Sequence, residues 1–279
     1  GVKVRLLVDD MDARTKSYGF AALDAHPNIA VRMFNPLKTR SGALRFLAEA
    51  AGSFDRINRR MHNKTWIADN RIAIVGGRNL GDEYFGASDE VNFVDLDFAM
   101  VGPIVRDASA SFDRYWNSPL AYPMAMLAAE SVTPAALQTL RDGIATQLGD
   151  AGKSRFAQEL QQSDAIQRLV AGDWPMQWSP NFRFISDDPL KALGKESGLA
   201  GSDVLATLGP LLKASQSSVT IISPYFVPGD AGTQRLVDIA RSGREVRVLT
   251  NSLAANDVAM VYGGYSKSRP GLLEGGVQL

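Results

Sequence analysis

Residues 61–69 read Met-His-Asn-Lys-Thr-Trp-Ile-Ala-Asp, and Gly76-Gly77-Arg78-Asn79 follows shortly after. His62 and Lys64 stand two apart in a segment that alternates into Trp66, so on a strand both side chains leave the same face. Imidazole titrates nearest neutrality, so it can attack phosphorus or move a proton. A lysine ammonium beside it neutralises non-bridging phosphate oxygens as charge develops on them. The pair suits phosphodiester chemistry that needs no metal.

The elements that position these groups follow from the local pattern. Asp69-Asn70 is a turn signal between Thr65-Trp66-Ile67 and Ile72-Ala73-Ile74-Val75, which predicts a hairpin. Gly76 and Gly77 let backbone amides approach an anion, and Asn79 adds an amide donor. A catalytic histidine needs an acceptor on its other ring nitrogen. Asp95 and Asp97 are the candidates, in a strand-like run from Val91 to Val101 where both occupy one face, so periodicity does not choose between them. Arg59 and Arg60 read as solvated side chains that can add to the positive field ahead of His62. His26, before Pro27, reads as a turn residue.

The pattern H-x-K-x4-D followed by G-G-x-N resembles the phospholipase D superfamily, and the run from Arg60 to Phe85 looks like its bacterial cardiolipin synthase branch. That resemblance implies that His62 is catalytic and that Lys64, Gly77 and Asn79 hold the substrate phosphate. It places Asp69 within the catalytic motif in a mainly structural role and favours Asp95 as the residue that orients His62. Gly77 stands where the superfamily commonly carries a serine, although Gly-Gly is usual among synthase-like members.

Composition narrows the chemistry. The 279 residues are 45% hydrophobic and 22% charged, enough for two sizeable cores. There is no cysteine and there are two histidines, which excludes disulfides, thiolate chemistry and thiolate zinc, and speaks against a His-based metal centre. No metal and no cofactor are expected. Thirty basic residues balance thirty acidic ones, which argues against a protein that holds nucleic acid over a broad basic surface. From Arg32 to Arg71, nine basic residues nevertheless face three acidic ones, a focused positive field suited to a phosphate headgroup. No stretch approaches the ~20 apolar residues of a membrane span, and residue 1 does not open a signal-peptide pattern.

The chain also repeats itself. Gly1 to Asp9 echoes Gly243 to Asn251, both strand-like in a βαβ setting. Helical stretches Tyr18 to Ala25 and Val258 to Leu273 follow, then strands from Asn28 and from Gly275. On this register a second H-x-K-x4-D is expected near position 308, so the chain reads as an internal piece of a longer duplicated protein. Tyr122 to Gly172, with breaks at Pro134 and Gly149, reads as two or three connector helices. Met124, Met126 and Leu127 form an apolar face better suited to packing on the lobes than to a bilayer, and Trp174 and Trp178 flank Pro175 in an interdomain setting.

The expectation is therefore an α/β, phospholipase D-like mixed sheet flanked by helices, in two pseudo-symmetric lobes with the second incomplete. The lobes span 1–120 and 181–279, joined by a helical connector at 121–180. The resemblance implies a phosphatidyltransferase of cardiolipin synthase type that works through a phosphohistidine, with phospholipids as substrates. It further implies a peripheral place on the cytoplasmic side of a bacterial inner membrane. The second histidine motif would come from beyond Leu279 or from a second copy, and the isolated chain is expected to be nearly inactive. The alternatives are a nuclease-like phosphodiesterase and a non-catalytic lipid-binding piece.

Overall fold

The computed structural model describes residues 1–10, 17–36, 60–88, 90–127, 134–152, 154–197, 203–255 and 259–279. Arg59 and Val258, named above, lie outside them. The chain divides into two compact units, Gly1–Ser202 and Asp203–Leu279.

In the first unit β1 (Val4–Asp9) and β2 (Ile29–Phe34) pair in parallel, Leu6 opposite Val31 and Val8 opposite Met33, and the short β6 (Ala121–Pro123) adds antiparallel to β2. Helix α1 (Ser17–Asp24) makes the crossover between them. A parallel pair has helices on its faces, so both its faces are apolar. Leu6, Val8, Val31 and Met33 meet Ala21 of α1 and also Met124 and Leu127, which belong to a short helical turn, Met124–Leu127. Phe34 points to the opposite side with Leu7 and meets Tyr115, Leu120 and Ala192. Met124 and Leu127 are thus core residues, whereas Met126 is exposed.

A second, antiparallel sheet joins β3 (Lys64–Ala68), β4 (Ile72–Gly76) and β5 (Asp97–Val101). Helix α2 (Ile104–Trp116) serves both sheets. Val105 and Ala108, on its first turns, bury Ala73 with Ile67 and Met100, and Phe184 joins them. One helical turn further on, Ser111 and Tyr115 continue the same stripe, as spacing by three and four residues requires, and Tyr115 packs on Phe34.

The expected connector helices are present with one shifted break. Residues Pro134–Ala151 form one helix that runs through Gly149. The interruption falls at Gly152, and Ser154 and Ser163 cap the two short helices Arg155–Gln162 and Asp164–Val170 through their side-chain oxygens. No helix among the described residues is long and apolar enough to cross a membrane.

The second unit repeats the parallel βαβ arrangement. Strand β7 (Ser218–Ile222), helix α3 (Gly229–Arg241) and β8 (Glu245–Leu249) enclose a core that includes Val219, Leu236, Ile239, Val246 and Val248. After α4 (Ala259–Glu274), Gln278 donates its N–H to Val246 and accepts from the N–H of Val248, a parallel bridge beside β8. In the first copy Arg5 pairs with Ala30, and Arg247, its counterpart in the repeat, pairs with Gln278.

Candidate active site

The hairpin forms where Asp69-Asn70 placed it. Asp69 and Asn70 both adopt positive φ, 51° and 53°, and the Arg71 N–H donates to Ala68 O at 2.9 Å. Two consecutive left-handed residues make the turn type that matches strand twist, which Asn and Asp tolerate through their short polar side chains. Ser109 on α2 donates to the Asn70 side chain at 2.8 Å and ties the turn down. Asp69 therefore lies in the turn at the far end of β3 from Lys64, roughly 17 Å of strand away.

At the other end of β3 His62 and Lys64 come together. Lys64 Nζ lies 3.0 Å from His62 Nδ1 and donates to the His62 carbonyl at 2.9 Å. His62 is exposed and stands two residues ahead of the strand pairing that begins at Lys64. The segment is anchored from behind, because Arg60 donates through Nε and Nη2 to Asp9 Oδ1 at 2.9 and 2.7 Å, and the Met61 N–H reaches Asp9 Oδ2 at 3.0 Å. Arg60 is thus an anchor at the end of β1 rather than a solvated charge.

The sheet register aligns the next groups. Lys64 pairs with Gly76, and Gly76 pairs with Asp97, so all three occupy one cross-strand row and Lys64 and Asp97 project from one face. Gly76 has no side chain because Asp97 lies over it. A Cβ there would sit 2.7 Å from both the Asp97 carboxyl carbon and the Leu96 carbonyl oxygen. Gly77 does the same for Asp95, whose Oδ2 would be 2.6 Å from a Cβ. Neither glycine needs positive φ. The two glycines were expected to admit an anion, and the anions they admit in this structure are two carboxylates of the chain itself.

Asp95 and Asp97 do not share a strand, as the run from Val91 had suggested. Pairing starts at Asp97, because the backbone before it is used locally: Phe93 N–H donates to Glu83 O and Leu96 N–H to Asp95 Oδ1. Arg78 organises this loop, a role that sequence reasoning missed. It pairs with Asp97 at 2.6 Å, bonds the Tyr84 carbonyl, and lies over the Phe85 ring. Asn79 donates from Nδ2 to the Tyr84 hydroxyl at 2.8 Å, and its amide carries a second N–H. His26 accepts the Asn28 N–H through Nδ1 in a turn. Among the described residues no group of three or more His, Asp or Glu could hold a metal ion.

Known proteins resemble this chain along its length. The family model "Cardiolipin synthase, PLD-like domain" matches residues 1–116, which include His62, Lys64, Asn79 and Asp95. The whole chain is 40% identical to cardiolipin synthase C of Escherichia coli, covering 57% of that protein. It is 24% identical to a cardiolipin synthase of Staphylococcus aureus, covering 44% of it. The chain thus spans about half the length of these curated relatives. Phosphatidylserine synthase of Haemophilus influenzae has a solved structure similar over 92% of the chain, at 11% identity and a TM-score of 0.47. The H-x-K pair, the hairpin and the Gly-Gly loop all lie inside the region that is similar to the PLD-like domain of cardiolipin synthases.

Proposed function

We propose that the protein is a phosphatidyltransferase of cardiolipin synthase type, acting on phospholipids at a membrane surface. The observation that carries this reading is the approach of Lys64 Nζ to His62 Nδ1, inside the region that is similar to the PLD-like domain of cardiolipin synthases. The 40% identity to a cardiolipin synthase supports the substrate class. The sheet face that holds Lys64 also carries Trp66, 57% exposed, and Ile74 opposite it. An apolar surface beside an ammonium group suits the acylglycerol part of a phospholipid better than a polynucleotide.

In the proposed reaction His62 Nε2 attacks phosphorus and the bond from phosphorus to the leaving glycerol oxygen breaks. The products are a phosphatidyl-histidine and an alkoxide that takes a proton. An acceptor hydroxyl then attacks phosphorus and gives up its proton, the P–N bond breaks, and His62 is restored. Lys64 and Asn79 hold the non-bridging oxygens. Proton delivery to the leaving group falls to a second histidine motif, supplied by a second copy or by another segment of the protein that contains this chain. Such general acid assistance contributes about 10²–10⁴-fold.

The resting geometry sets a condition on the first step. While Lys64 donates to Nδ1, a neutral His62 carries its proton on Nε2, which is the form of an acid. Attack from Nε2 requires Lys64 to move onto the phosphate oxygens and the proton to pass to Nδ1, where a carboxylate stabilises it. Arg78 already engages Asp97, which supports Asp95 in that role, as the family resemblance does. The test is phosphatidyl transfer from phosphatidylglycerol vesicles to isotopically labelled glycerol, read as label entering phosphatidylglycerol. His62→Asn should abolish transfer, Asp95→Asn should lower it, and full transfer by His62→Asn would overturn the reading.

A further inference from the structure

An antiparallel sheet covered on one side usually turns polar side chains outward. The sheet of β3, β4 and β5 does not. Its inner face carries Ile67, Ala73 and Met100 against Val105 and Ala108 of α2. On its outer face, two residues beyond the row of Lys64, Gly76 and Asp97, the register sets Trp66, Ile74 and Ala99 side by side. The next row is Ala68, Ile72 and Val101. These two rows hold no charged side chain, and Trp66, Ile74 and Val101 are all exposed. Three strands make the face roughly 10 Å wide, and it runs roughly 13 Å from the Lys64 row to the Val101 row. Lys64 Nζ reaches back to His62, so the methylene stem of Lys64 joins the cationic end of the face to the Trp66 row. An exposed apolar face continuous with a cation calls for an amphipathic occupant.

We infer that this face is the acyl track of the donor phospholipid: with the phosphate at Lys64 and His62, an acyl chain lies across Trp66 and Ile74 toward Val101. This rests on the proposed phosphatidyl transfer at His62. Charge decides the occupant. The ammonium of Lys64 stands at one end of the face and the two rows beyond it are uncharged, the order of polarity that a phospholipid presents from phosphate to chain end. The Asp97 carboxylate in the first row is engaged by Arg78 at 2.6 Å, so it does not oppose the phosphate. A polynucleotide would bring further phosphates over rows with no cation to meet them. A short acyl chain reaches the Trp66 row, and a longer one goes on to Val101. Trp66 offers the largest apolar contact, worth about tenfold in affinity when a chain covers it.

The experiment uses the protein that contains this chain and follows labelled glycerol into three donors. These are glycerophosphoglycerol, dihexanoyl-phosphatidylglycerol kept monomeric, and vesicles of dioleoyl-phosphatidylglycerol. In Trp66→Ala the ratio of kcat/KM for the dihexanoyl donor to that for glycerophosphoglycerol should fall about tenfold, and Trp66→Leu should restore most of it. Val101→Ser should lower the ratio of the dioleoyl to the dihexanoyl donor. If both rates fall in Trp66→Ala at an unchanged ratio, Trp66 is merely structural; if the loss is confined to vesicles, the face is a bilayer contact. Either result overturns the track. Dissociation of an oligomer by Trp66→Ala in sedimentation overturns it too, because the face then belongs to a second copy. If His62→Asn retains full transfer, the reading of the site fails instead. Quenching of Trp66 fluorescence by a dihexanoyl donor brominated at its chain ends, taken as wild type minus Trp66→Phe, then decides the track without turnover: quenching supports it and none overturns it.

Discussion

Replacing Gly76 by alanine tests the row that joins Lys64, Gly76 and Asp97. The new Cβ would lie 2.7 Å from the Asp97 carboxyl carbon and from the Leu96 carbonyl oxygen, well inside ordinary contact distance. The carboxylate can swing away only by leaving Arg78, which it meets at 2.6 Å with both side chains mostly covered. The Leu96 carbonyl belongs to the backbone and yields only if the loop moves. Overpacking of this kind costs about 1–3 kcal/mol, and loss of the ion pair adds up to about 1 kcal/mol. Against this, alanine restricts the unfolded chain by about 0.4–1 kcal/mol at a backbone position it can adopt. The net loss is about 1–3 kcal/mol, equivalent to roughly 3–10 °C in a unit of this size. All four tryptophans, Trp66, Trp116, Trp174 and Trp178, lie in the first unit, so intrinsic fluorescence during urea unfolding reports on it selectively. Gly143→Ala is the control, since nothing lies within 4 Å of its Cβ on an exposed helix; it should stabilise by up to about 1 kcal/mol. If Gly76→Ala unfolds with wild-type stability, Asp97 does not occupy that space and the row is wrong.

Three further outcomes follow from the same geometry. Asp69→Asn keeps a residue suited to positive φ and should leave transfer activity within about twofold of wild type, whereas Asp69→Val should destabilise the hairpin by about 1–2 kcal/mol in urea unfolding. Asp9→Asn weakens the anchor that holds Arg60 and Met61, so it should lower transfer through the placement of His62 while His26 keeps its resonance. Burial pushes the Tyr115 hydroxyl above its ordinary value of 10.0, since the phenolate is penalised away from water. Folding therefore holds the proton more tightly than the unfolded chain does. The stability from this group is fully present below pH 10 and is lost as pH rises through the folded-state value. Melting curves of wild type and Tyr115→Phe should accordingly keep a constant separation up to about pH 9 and converge above pH 10; a constant separation at every pH would contradict it.

The H-x-K pair and its hairpin were more legible in the sequence than the scaffolding around them. His62, Lys64 and the Asp69-Asn70 turn are local signals: spacing by two sets a common face, and a two-residue turn sets the hairpin. The parallel pairing of β1 with β2, and of β8 with the segment at Gln278, was likewise visible in the repeated strand-helix-strand pattern. The supports of His62 were not, because they join residues far apart in the chain. Asp9 reaches Arg60, Tyr115 packs beside Met61, and Phe184 and Ala192 pack on the first unit's cores, and no periodicity encodes those distances. Gly76 and Gly77 were read as room for a ligand, yet they make room for Asp97 and Asp95, whose approach depends on sheet register. Asp95 looked like a strand residue because its neighbours alternate, but its own carboxylate captures the next amide and delays the strand to Asp97.

The most direct test of the central claim is to trap the covalent intermediate. The protein that contains this chain is mixed with phosphatidylglycerol carrying labelled phosphate, quenched in base, digested and mapped by mass spectrometry. Label on the peptide that holds His62, absent from His62→Asn, is the expected result. Turnover with label on another residue, or undiminished turnover by His62→Asn, would contradict it.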